Sequence, residues 1–240
     1  MLRYDQIKQN RRKFLALTGI TPQEFKVLLP VFGKAYEWLH PSSQTRAGKT
    51  RKRAMGGGRK GSLDTLEQKL LFALVYQKTY PLQVLLGEVF DLSQPRTNYW
   101  IHHLLPVLKQ ALDDLGLIPE RAPHQFASHE KRQGEPATFV IDGTERRRQR
   151  PKDVQKQALH YSGKKKTHSD KNVVIVNTTT KRVGYLSRTY VGKTNDKKIA
   201  DTEDIAYPRQ STLYKDSGFQ GYEPRVAQTH QPKKSRAKVN

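Results

Sequence analysis

Cysteine is absent from the 240 residues of this chain. Its absence excludes disulfides, thiolate zinc sites and cysteine nucleophiles, so any bound metal ion must use oxygen or imidazole ligands. Long apolar runs are missing too: none approaches the ~18 consecutive apolar residues of a membrane-spanning helix. The N-terminal MLRYDQIKQNRRKF also lacks the apolar stretch of a signal peptide. We therefore expect a soluble protein with no membrane partner, and a chain without cysteine is compatible with the cytoplasm.

Acidic residues are scarce relative to basic ones. The chain has 22 Asp and Glu against 44 Lys and Arg, which gives a formal net charge of +22. This excess exceeds what solubility requires and predicts a polyanionic partner, with nucleic acid as the first candidate. At 240 residues, the chain is long enough for one large domain or for two modest ones, each with its own core, and we expect two.

The first part of the chain has a helical pattern. Thr21 as N-cap, Pro22 at the first helical position and Glu24 as the partner in a capping box predict the start of a helix. Its apolar residues recur every three or four positions and predict one buried face: Phe25, Leu28, Leu29, Phe32, Tyr36 and Leu39. Residues 41–62, with seven basic residues and three consecutive glycines, predict a basic linker that is either a solvated tether or a phosphate contact.

A second helical block covers residues 63–115. Asp64 is the expected cap of its first helix, and the predicted inner stripe consists of Leu66, Leu70, Ala73 and Leu74. Pro81 ends this helix, LQVLLGEVF forms a short one, DLS a turn, and QPRTNYWIHHLLPVLKQAL a third helix capped by Ser93. This order is that of a helix-turn-helix unit.

The third helix has the composition of a DNA recognition helix. Its expected core face is Trp100, Ile101, Leu104, Leu105 and Leu108, with Pro106 predicting a kink or an early end. Outward side chains able to donate to phosphates and base edges are Gln94, Arg96, Asn98, Tyr99, His102 and His103. We interpret the two adjacent histidines as surface polar residues and not as metal ligands. A small helical bundle with a polar outer face is the alternative.

In the second half of the chain, the pattern of apolar residues changes from helix-like to strand-like. Pro119, Pro123, Gly134 and Pro136 predict an irregular connection over residues 116–136. The runs ATFVI, NVVIVN, RVGYLSRTYVG and STLYK then have strand composition, and NDKKIADTEDIAY predicts a short helix among them. The second half is therefore expected to be a mixed α/β domain.

Two aspartates follow strand-like runs in this half. Asp142 follows ATFVI and precedes Gly143, and Asp216 follows STLYK and precedes SGFQGY. Ligands collect at the carboxyl ends of strands in open α/β sheets, so the pair predicts a shared divalent cation, Mg²⁺ or Mn²⁺. Singly, each acid is more typical of a turn residue that accepts backbone hydrogen bonds, and this alternative stays open.

Basic residues surround the acid pair in the sequence. A metal ion and cationic side chains together offset the charge of a phosphodiester, so the pattern predicts chemistry on nucleic acid. The residues expected to position the strand are Arg146, Arg147, Arg148, Arg150 and Lys152. In HYSGKKKTHSDKN, a basic turn between strands offers Lys164, Lys165 and Lys166, with a solvated hairpin tip as the alternative.

Four ordered motifs, VIDGTERRRQRP, HYSGKKKTHSDKNVVIV, TNDKKIADTED and LYKDSGFQGYE, resemble those of a bacterial insertion-sequence transposase of the DDE superfamily. With the helical LVYQKTYPLQVLLGEVFDLSQPRTNYWIHHLLPVL ahead of them, the resemblance covers roughly residues 12–232. It implies a ribonuclease H-like catalytic domain behind a helix-turn-helix that binds inverted-repeat ends. It also implies metal-dependent cleavage of those ends, joining of the freed 3′ hydroxyl to target DNA, and a nucleoid-associated location.

By the same resemblance, Asp142 in IDGTE matches the first catalytic aspartate and Asp216 in KDSGFQG matches the second. The third acid, a glutamate on a helix well beyond the second aspartate, has no counterpart, because Glu223 in GYEP is too close to Asp216. We therefore expect impaired activity and a homo-oligomer on DNA or a C-terminal partner segment in trans. A decayed element, the first product of a frameshifted gene and an incomplete chain all stay open.

These patterns together predict an α+β chain. An N-terminal all-α helix-turn-helix domain over 1–115 is followed by a connector over 116–136 and by an incomplete ribonuclease H-like mixed α/β domain over 137–240. The leading hypothesis is a transposase acting on double-stranded DNA, both element ends and target. The alternatives are a non-catalytic DNA-binding protein or repressor of the same ends, and a structural RNA-binding protein of ribosomal kind, which fits the charge but not the ordered acids.

Overall fold

The computed structural model describes residues 1–45, 48–52, 61–131 and 137–232. The chain divides into two compact units, Met1–Leu117 and Ile118–Asn240. Each unit has its own hydrophobic core. Within the described residues, no helix is long and apolar enough to span a membrane. Part of the predicted basic linker, residues 46–47 and 53–60, lies outside the described residues.

The first unit is helical. Its helices are α1 (Tyr4–Ile7), α2 (Arg11–Thr18), α3 (Pro22–Leu39), α4 (Leu66–Thr79), α5 (Gln83–Phe90) and α6 (Gln94–Asp114). The capping box predicted for α3 is confirmed: the backbone N–H of Glu24 donates to Thr21 Oγ1 (3.2 Å), and that of Thr21 donates to Glu24 Oε2 (2.6 Å). This reciprocal pair satisfies two backbone donors at the start of the helix and fixes where α3 begins.

Helix α4 lies in the centre of the first core, and here two predictions were wrong. Every residue from Leu70 to Tyr76 is buried, so α4 has no single inner stripe. A helix that is apolar all round is buried on all sides. The cap is Thr65, not Asp64, because Thr65 directly precedes the helix and its Oγ1 accepts from the Gln68 backbone N–H at 3.1 Å.

Helices α5 and α6 meet at the tight turn expected of a helix-turn-helix. A Cβ at Gly87 would lie 2.4 Å from the Leu92 carbonyl oxygen, so only glycine lets the turn approach α5 this closely. Helix α6 begins after Ser93 as predicted, although the Ser93 side chain makes no capping hydrogen bond. Of the kink or early end predicted at Pro106, the structure contradicts the early end, because α6 continues to Asp114.

The second unit is built on a mixed sheet. Its strands are β1 (Thr138–Arg147), β2 (Tyr161–Ser162), β3 (Thr167–Asn177), β4 (Arg182–Leu186), β5 (Tyr190–Val191), β6 (Thr212–Lys215) and β7 (Gln228–His230). The strand order is β2-β3-β1-β6-β7, with β4 and β5 also paired to β3. Pairing is antiparallel from β1 towards β3 and parallel from β1 through β6 to β7. This mixed sheet is consistent with the ribonuclease H-like domain that the resemblance implied.

In the described part of this unit, three helices accompany the sheet: α7 (Phe126–Lys131), α8 (Val154–His160) and α9 (Asp196–Glu203). The irregular connector predicted for 116–136 was wrong for its middle part. Residues 123–125 form a 3-10 turn that leads into α7, and fully buried Phe126 packs its ring against those of Phe139, Tyr185 and Tyr207. Gly134 and Pro136 lie outside the described residues.

Candidate active site

Asp142 lies on β1, and Asp216 directly follows β6, the parallel neighbour of β1. In the β1–β6 register, Ile141 is paired with Lys215, so each aspartate is the next residue of the chain after this pair. Adjacent strands are about 5 Å apart, which makes the two aspartates neighbours at one edge of the β1–β6 pairing. This juxtaposition brings together two residues that are far apart in the sequence.

Both acids belong to the open side of the sheet. Ile141 and Lys215 are buried, whereas Val140 and Tyr214, two residues before the acids, are 39% and 46% exposed. Side chains alternate across a strand, and Asp216 keeps an extended backbone, so Asp142 and Asp216 project to the same exposed face. Both aspartates are themselves exposed to solvent.

The expected turn after Asp142 is not there. Strand β1 continues through Asp142 and Gly143 to Arg147, because it stays paired with β3 from Phe139–Asn177 to Arg147–Ser169. Only the parallel partner β6 ends at this point. At Asp142, β1 is therefore still paired with β3 but no longer with β6. The end of β6 leaves an opening in the middle of the sheet.

Each aspartate accepts one backbone hydrogen bond through Oδ1. The donor to Asp142 is the N–H of Gly143, and the donor to Asp216 is the N–H of Gly218, both at 2.8 Å. Asp216 thereby caps a 3-10 turn, Ser217–Phe219. These bonds orient the carboxylates. The alternative reading of each acid, as a turn residue that accepts backbone hydrogen bonds, applies to Asp216. It is compatible with the Asp216 carboxylate also serving as a metal ligand.

Asp196 is a third carboxylate at this place, and the sequence reasoning gave it no role. It is the first residue of α9, whose cap is Asn195. A Cβ at Gly143 would lie 2.5 Å from Asp196 Oδ1, and one at Gly218 would lie 3.2 Å from Asp196 Oδ2. Asp196 thus packs against the glycines that follow the two aspartates. The sequence feature that could have identified Asp196 is its position in TNDKKIADTED, one of the four ordered motifs.

Lys171 connects Asp196 to the sheet. Its Nζ lies 3.1 Å from Asp196 Oδ1 and 3.4 Å from Glu145 Oε1, and it donates to the Thr194 carbonyl at 2.9 Å. The side chains of Lys171 and Glu145 are each only 10% exposed. The network therefore holds the start of α9 against β1 and β3, directly beside the acid pair.

Glu145 is charged in this network. Burial acts to raise the pKa of Glu145, but hydrogen bonds from Ser162 and Ser169, together with the nearby charge of Lys171, outweigh burial and lower the pKa below its ordinary value. The Ser169 hydroxyl donates to Glu145 Oε2 at 3.0 Å. A charged Glu145, together with Asp196, helps to neutralise the largely buried Lys171.

The predicted basic residues near the acids do not form one cluster. Arg146 donates to Asn172, Arg148 to Asp170 and Arg150 to Gln157, at 2.8–3.0 Å. Arg147 lines a cavity of about 210 Å³ with Lys165 and Glu145. Lys164, Lys165 and Lys166 are exposed in the predicted turn between β2 and β3. Arg146, Arg148 and Arg150 are therefore tied to protein partners, and the lysine turn is open to solvent.

In the first unit, the polar residues predicted for the recognition helix lie on α6. Gln94, Arg96, Asn98 and His102 are exposed, and Tyr99 is half-buried. The interpretation of His103 as a surface residue was wrong. His103 is half-buried and stacks between Tyr99 and His40, because α3 packs against this side of α6.

Among the described residues, no group of three or more acidic or histidine side chains is arranged to hold a metal ion. The donors at the candidate site are the carboxylates of the pair Asp142 and Asp216. Carboxylate oxygens are the ligands that hard divalent cations prefer, so the donor chemistry of the pair fits such an ion.

The fold and the acid pair define a class of protein: a helix-turn-helix unit followed by a mixed-sheet nuclease domain. Residues 61–114 match the family model described as the helix-turn-helix of DDE superfamily endonuclease, and residues 141–239 match the model described as DDE superfamily endonuclease. The two matches cover more than half of the chain, and the chain belongs to the DDE superfamily of transposases. No curated protein and no solved structure matches it.

Proposed function

We propose that this chain is a DNA transposase that binds the inverted-repeat ends of an insertion sequence and catalyses DNA cleavage and strand transfer. The observation that carries the proposal is the juxtaposition of Asp142 and Asp216, which are one residue beyond a shared register position on parallel strands and on the same exposed face. Neighbouring carboxylates open to solvent at a sheet edge suit chemistry on a phosphodiester.

The acid pair is proposed as the catalytic centre. DDE superfamily endonucleases generally use divalent metal ions. Asp142 and Asp216 would hold such an ion, Mg²⁺ or Mn²⁺, which when bound activates an attacking oxygen and steadies the leaving one. The protein itself contributes the orientation of the two carboxylates, since the backbone N–H of Gly143 donates to Asp142 Oδ1 and that of Gly218 donates to Asp216 Oδ1.

DNA binding is assigned to two surfaces. In the first unit, the exposed side chains at the start of α6, Gln94, Arg96, Asn98 and His102, with half-buried Tyr99, supply donors for phosphates and base edges. In the second unit, we assign positioning of the DNA strand to the exposed lysine turn and to the arginines at the end of β1 and directly after it: Lys164, Lys165, Lys166, Arg146, Arg147, Arg148 and Arg150. The proposed partner is double-stranded DNA, both element ends and target.

Two measurements on the same samples test the proposal. The first is nicking of a labelled end duplex in Mg²⁺ or Mn²⁺, and the second is Mn²⁺ binding followed by electron paramagnetic resonance. Asp142→Asn and Asp216→Asn should each abolish nicking and weaken Mn²⁺ binding while leaving duplex affinity within about twofold, since neither residue lies on α6. The matched control is Asp153→Asn, a helix-capping acid on the same unit.

The alternative function is a non-catalytic DNA-binding protein or repressor at the same ends. It predicts tight duplex binding, no nicking, and Mn²⁺ binding that is the same in the wild type and in Asp142→Asn. That combination of results would reject the nuclease role and keep DNA binding. Indifference to duplex DNA would reject both.

A further inference from the structure

The first unit contains a cavity of about 580 Å³ beside the start of α6. It is bordered by the C-terminal end of α3, by described residues within 41–45 and 48–51, and by one side of α6. Twelve of the described residues line it, among them Tyr36, Arg51, Arg96, Tyr99, Trp100 and His103. None of these is acidic, and two are arginines. The volume lies within the range of small-molecule pockets, about 300–1,000 Å³.

Aromatic rings form an ordered wall of this cavity. The rings of Tyr99 and His103 are stacked at 5.1 Å and 21°, and those of His103 and His40 at 3.5 Å and 19°. Tyr36 and Trp100 meet His103 edge-on, at 80° and 75°. Because the rings come from α6 and from the C-terminal end of α3, the packing of the two helices fixes the arrangement of this aromatic wall.

The aromatic wall is not part of the closed core. Tyr36, His40, Tyr99, Trp100 and His103 are all only half-buried, whereas core rings such as Phe14, Phe25 and Phe32 are fully buried. Rings that line an open cavity leave part of their surface available to a ligand, and a planar ligand can gain stacking there.

The charge around the wall is positive. The Arg96 guanidinium lies 5.5 Å from the Tyr99 ring centroid, and Arg51, on the chain segment after α3, also lines the cavity. Lys69 Nζ lies 5.6 Å from the Tyr36 centroid and 5.9 Å from that of Trp100. Burial lowers the pKa of Lys69. An anionic ligand with a flat aromatic part matches these surroundings.

We propose that this cavity binds one unpaired nucleotide of DNA, with its base against the aromatic wall and its phosphate between Arg51 and Arg96. Every base has a π-face, so aromatic stacking tolerates any sequence, and the arginines contribute charge to the backbone. A base inside a duplex is already stacked on both sides, so the nucleotide must be extruded or lie at an unpaired end. The proposal rests on the proposed DNA binding of the first unit.

Trp100 provides a direct probe. The chain has two tryptophans, and Trp38 is 69% exposed and does not line the cavity. In full-length Trp38→Phe protein, the fluorescence therefore reports Trp100 alone. The ligands are a short oligothymidylate and an abasic oligomer of the same length and charge. The oligothymidylate should quench Trp100 and bind about tenfold more tightly than the abasic oligomer, because stacking adds to charge.

Two variants separate stacking from folding. Tyr99→Ala should bring the two ligands to equal affinity, whereas Tyr99→Phe, which keeps the ring, should retain the difference. Tyr80→Ala, an exposed aromatic outside the cavity, is the matched control and should change nothing. Equal affinities in the parent protein, or no change in Trp100 fluorescence, would overturn the nucleotide pocket. If duplex binding persists in that case the proposed function stands, and if it is also absent both proposals fail.

Discussion

At the scale of single residues, Lys171 determines how α9 meets the sheet. It contacts Glu145 on β1 and Asp196 on α9, and it hydrogen-bonds the Thr194 carbonyl just before the helix. Asp196 in turn fills the space that Gly143 leaves open beside Asp142. A change in this buried ion-pair network is therefore expected to act on stability and on the acid pair together.

Lys171→Met should lower the free energy of unfolding by about 2–3 kcal/mol, because it leaves two largely buried carboxylates without their cation. Urea denaturation followed by circular dichroism measures this loss. The matched control is Lys197→Met, which breaks the solvent-exposed pair with Asp201 and should cost under about 0.5 kcal/mol. Equal losses for the two variants would contradict a special role for Lys171.

Glu145 should make stability depend on pH in the acid range. Its pKa is lower in the folded chain than the ordinary 4.5, so the stabilisation is fully present above about pH 4.5 and is lost as the pH falls through the lowered value. Glu145→Gln should remove this part of the acid sensitivity. The measurement is the urea midpoint of both proteins between about pH 5 and pH 3. Parallel curves for the two proteins would show that Glu145 contributes nothing to the pH dependence.

At the scale of elements, the turn between α5 and α6 sets the position of the recognition helix. Gly87 on α5 lies against the Leu92 carbonyl, and its missing side chain also leaves room for the Thr97 hydroxyl of α6. Thr97 Oγ1 donates to the Ser93 carbonyl at 3.1 Å. The turn is thus packed on both sides, and α6 cannot approach α5 if a side chain is present at position 87.

Gly87→Ala should therefore displace α6. The added Cβ would lie 2.4 Å from backbone oxygen, which cannot move aside cheaply, and overpacking of this kind costs about 1–3 kcal/mol. We expect a matching loss of stability and weaker duplex binding, measured by thermal melting and by fluorescence anisotropy. Gly61→Ala, with nothing within 4 Å of the added Cβ, is the control. Unchanged melting of Gly87→Ala would show that the turn tolerates a side chain.

At the scale of the whole molecule, the chain carries a formal net charge of +22, which favours association with polyanions. DNA binding by such a chain releases counterions from the phosphates, so the affinity should fall steeply with salt. If the complex uses about 6–10 phosphate contacts, raising salt from 50 to 200 mM should weaken duplex binding by about 10³–10⁵-fold. Anisotropy titrations at four salt concentrations measure the slope.

Arg96→Ala tests whether α6 contributes to that slope. Loss of one phosphate contact should reduce the magnitude of the log–log slope by about 0.9. Lys109→Ala, an exposed cation on the later half of the same helix, is the matched control and should leave the slope unchanged. Equal effects of the two substitutions would mean that charge acts without regard to position on α6.

Much of this protein is determined by local sequence patterns. The capping box at Thr21, the order of helices that makes the helix-turn-helix and the longer strand runs of the second half could be predicted, because each depends on neighbouring residues or on a short period; the short strands β2 and β7 were not predicted. The two aspartates could be singled out because each follows a strand-like run and belongs to an ordered motif.

Tertiary structure alone decided the rest. Strand β1 continues past Asp142 because β3 pairs with it, His103 is half-buried because α3 packs on α6, and Asp196 reaches Gly143 because Lys171 ties α9 to the sheet. Each of these outcomes depends on a partner distant in the chain. Local propensity is a weak guide where such packing competes with it, so the sequence could identify the acids but not the network that holds them.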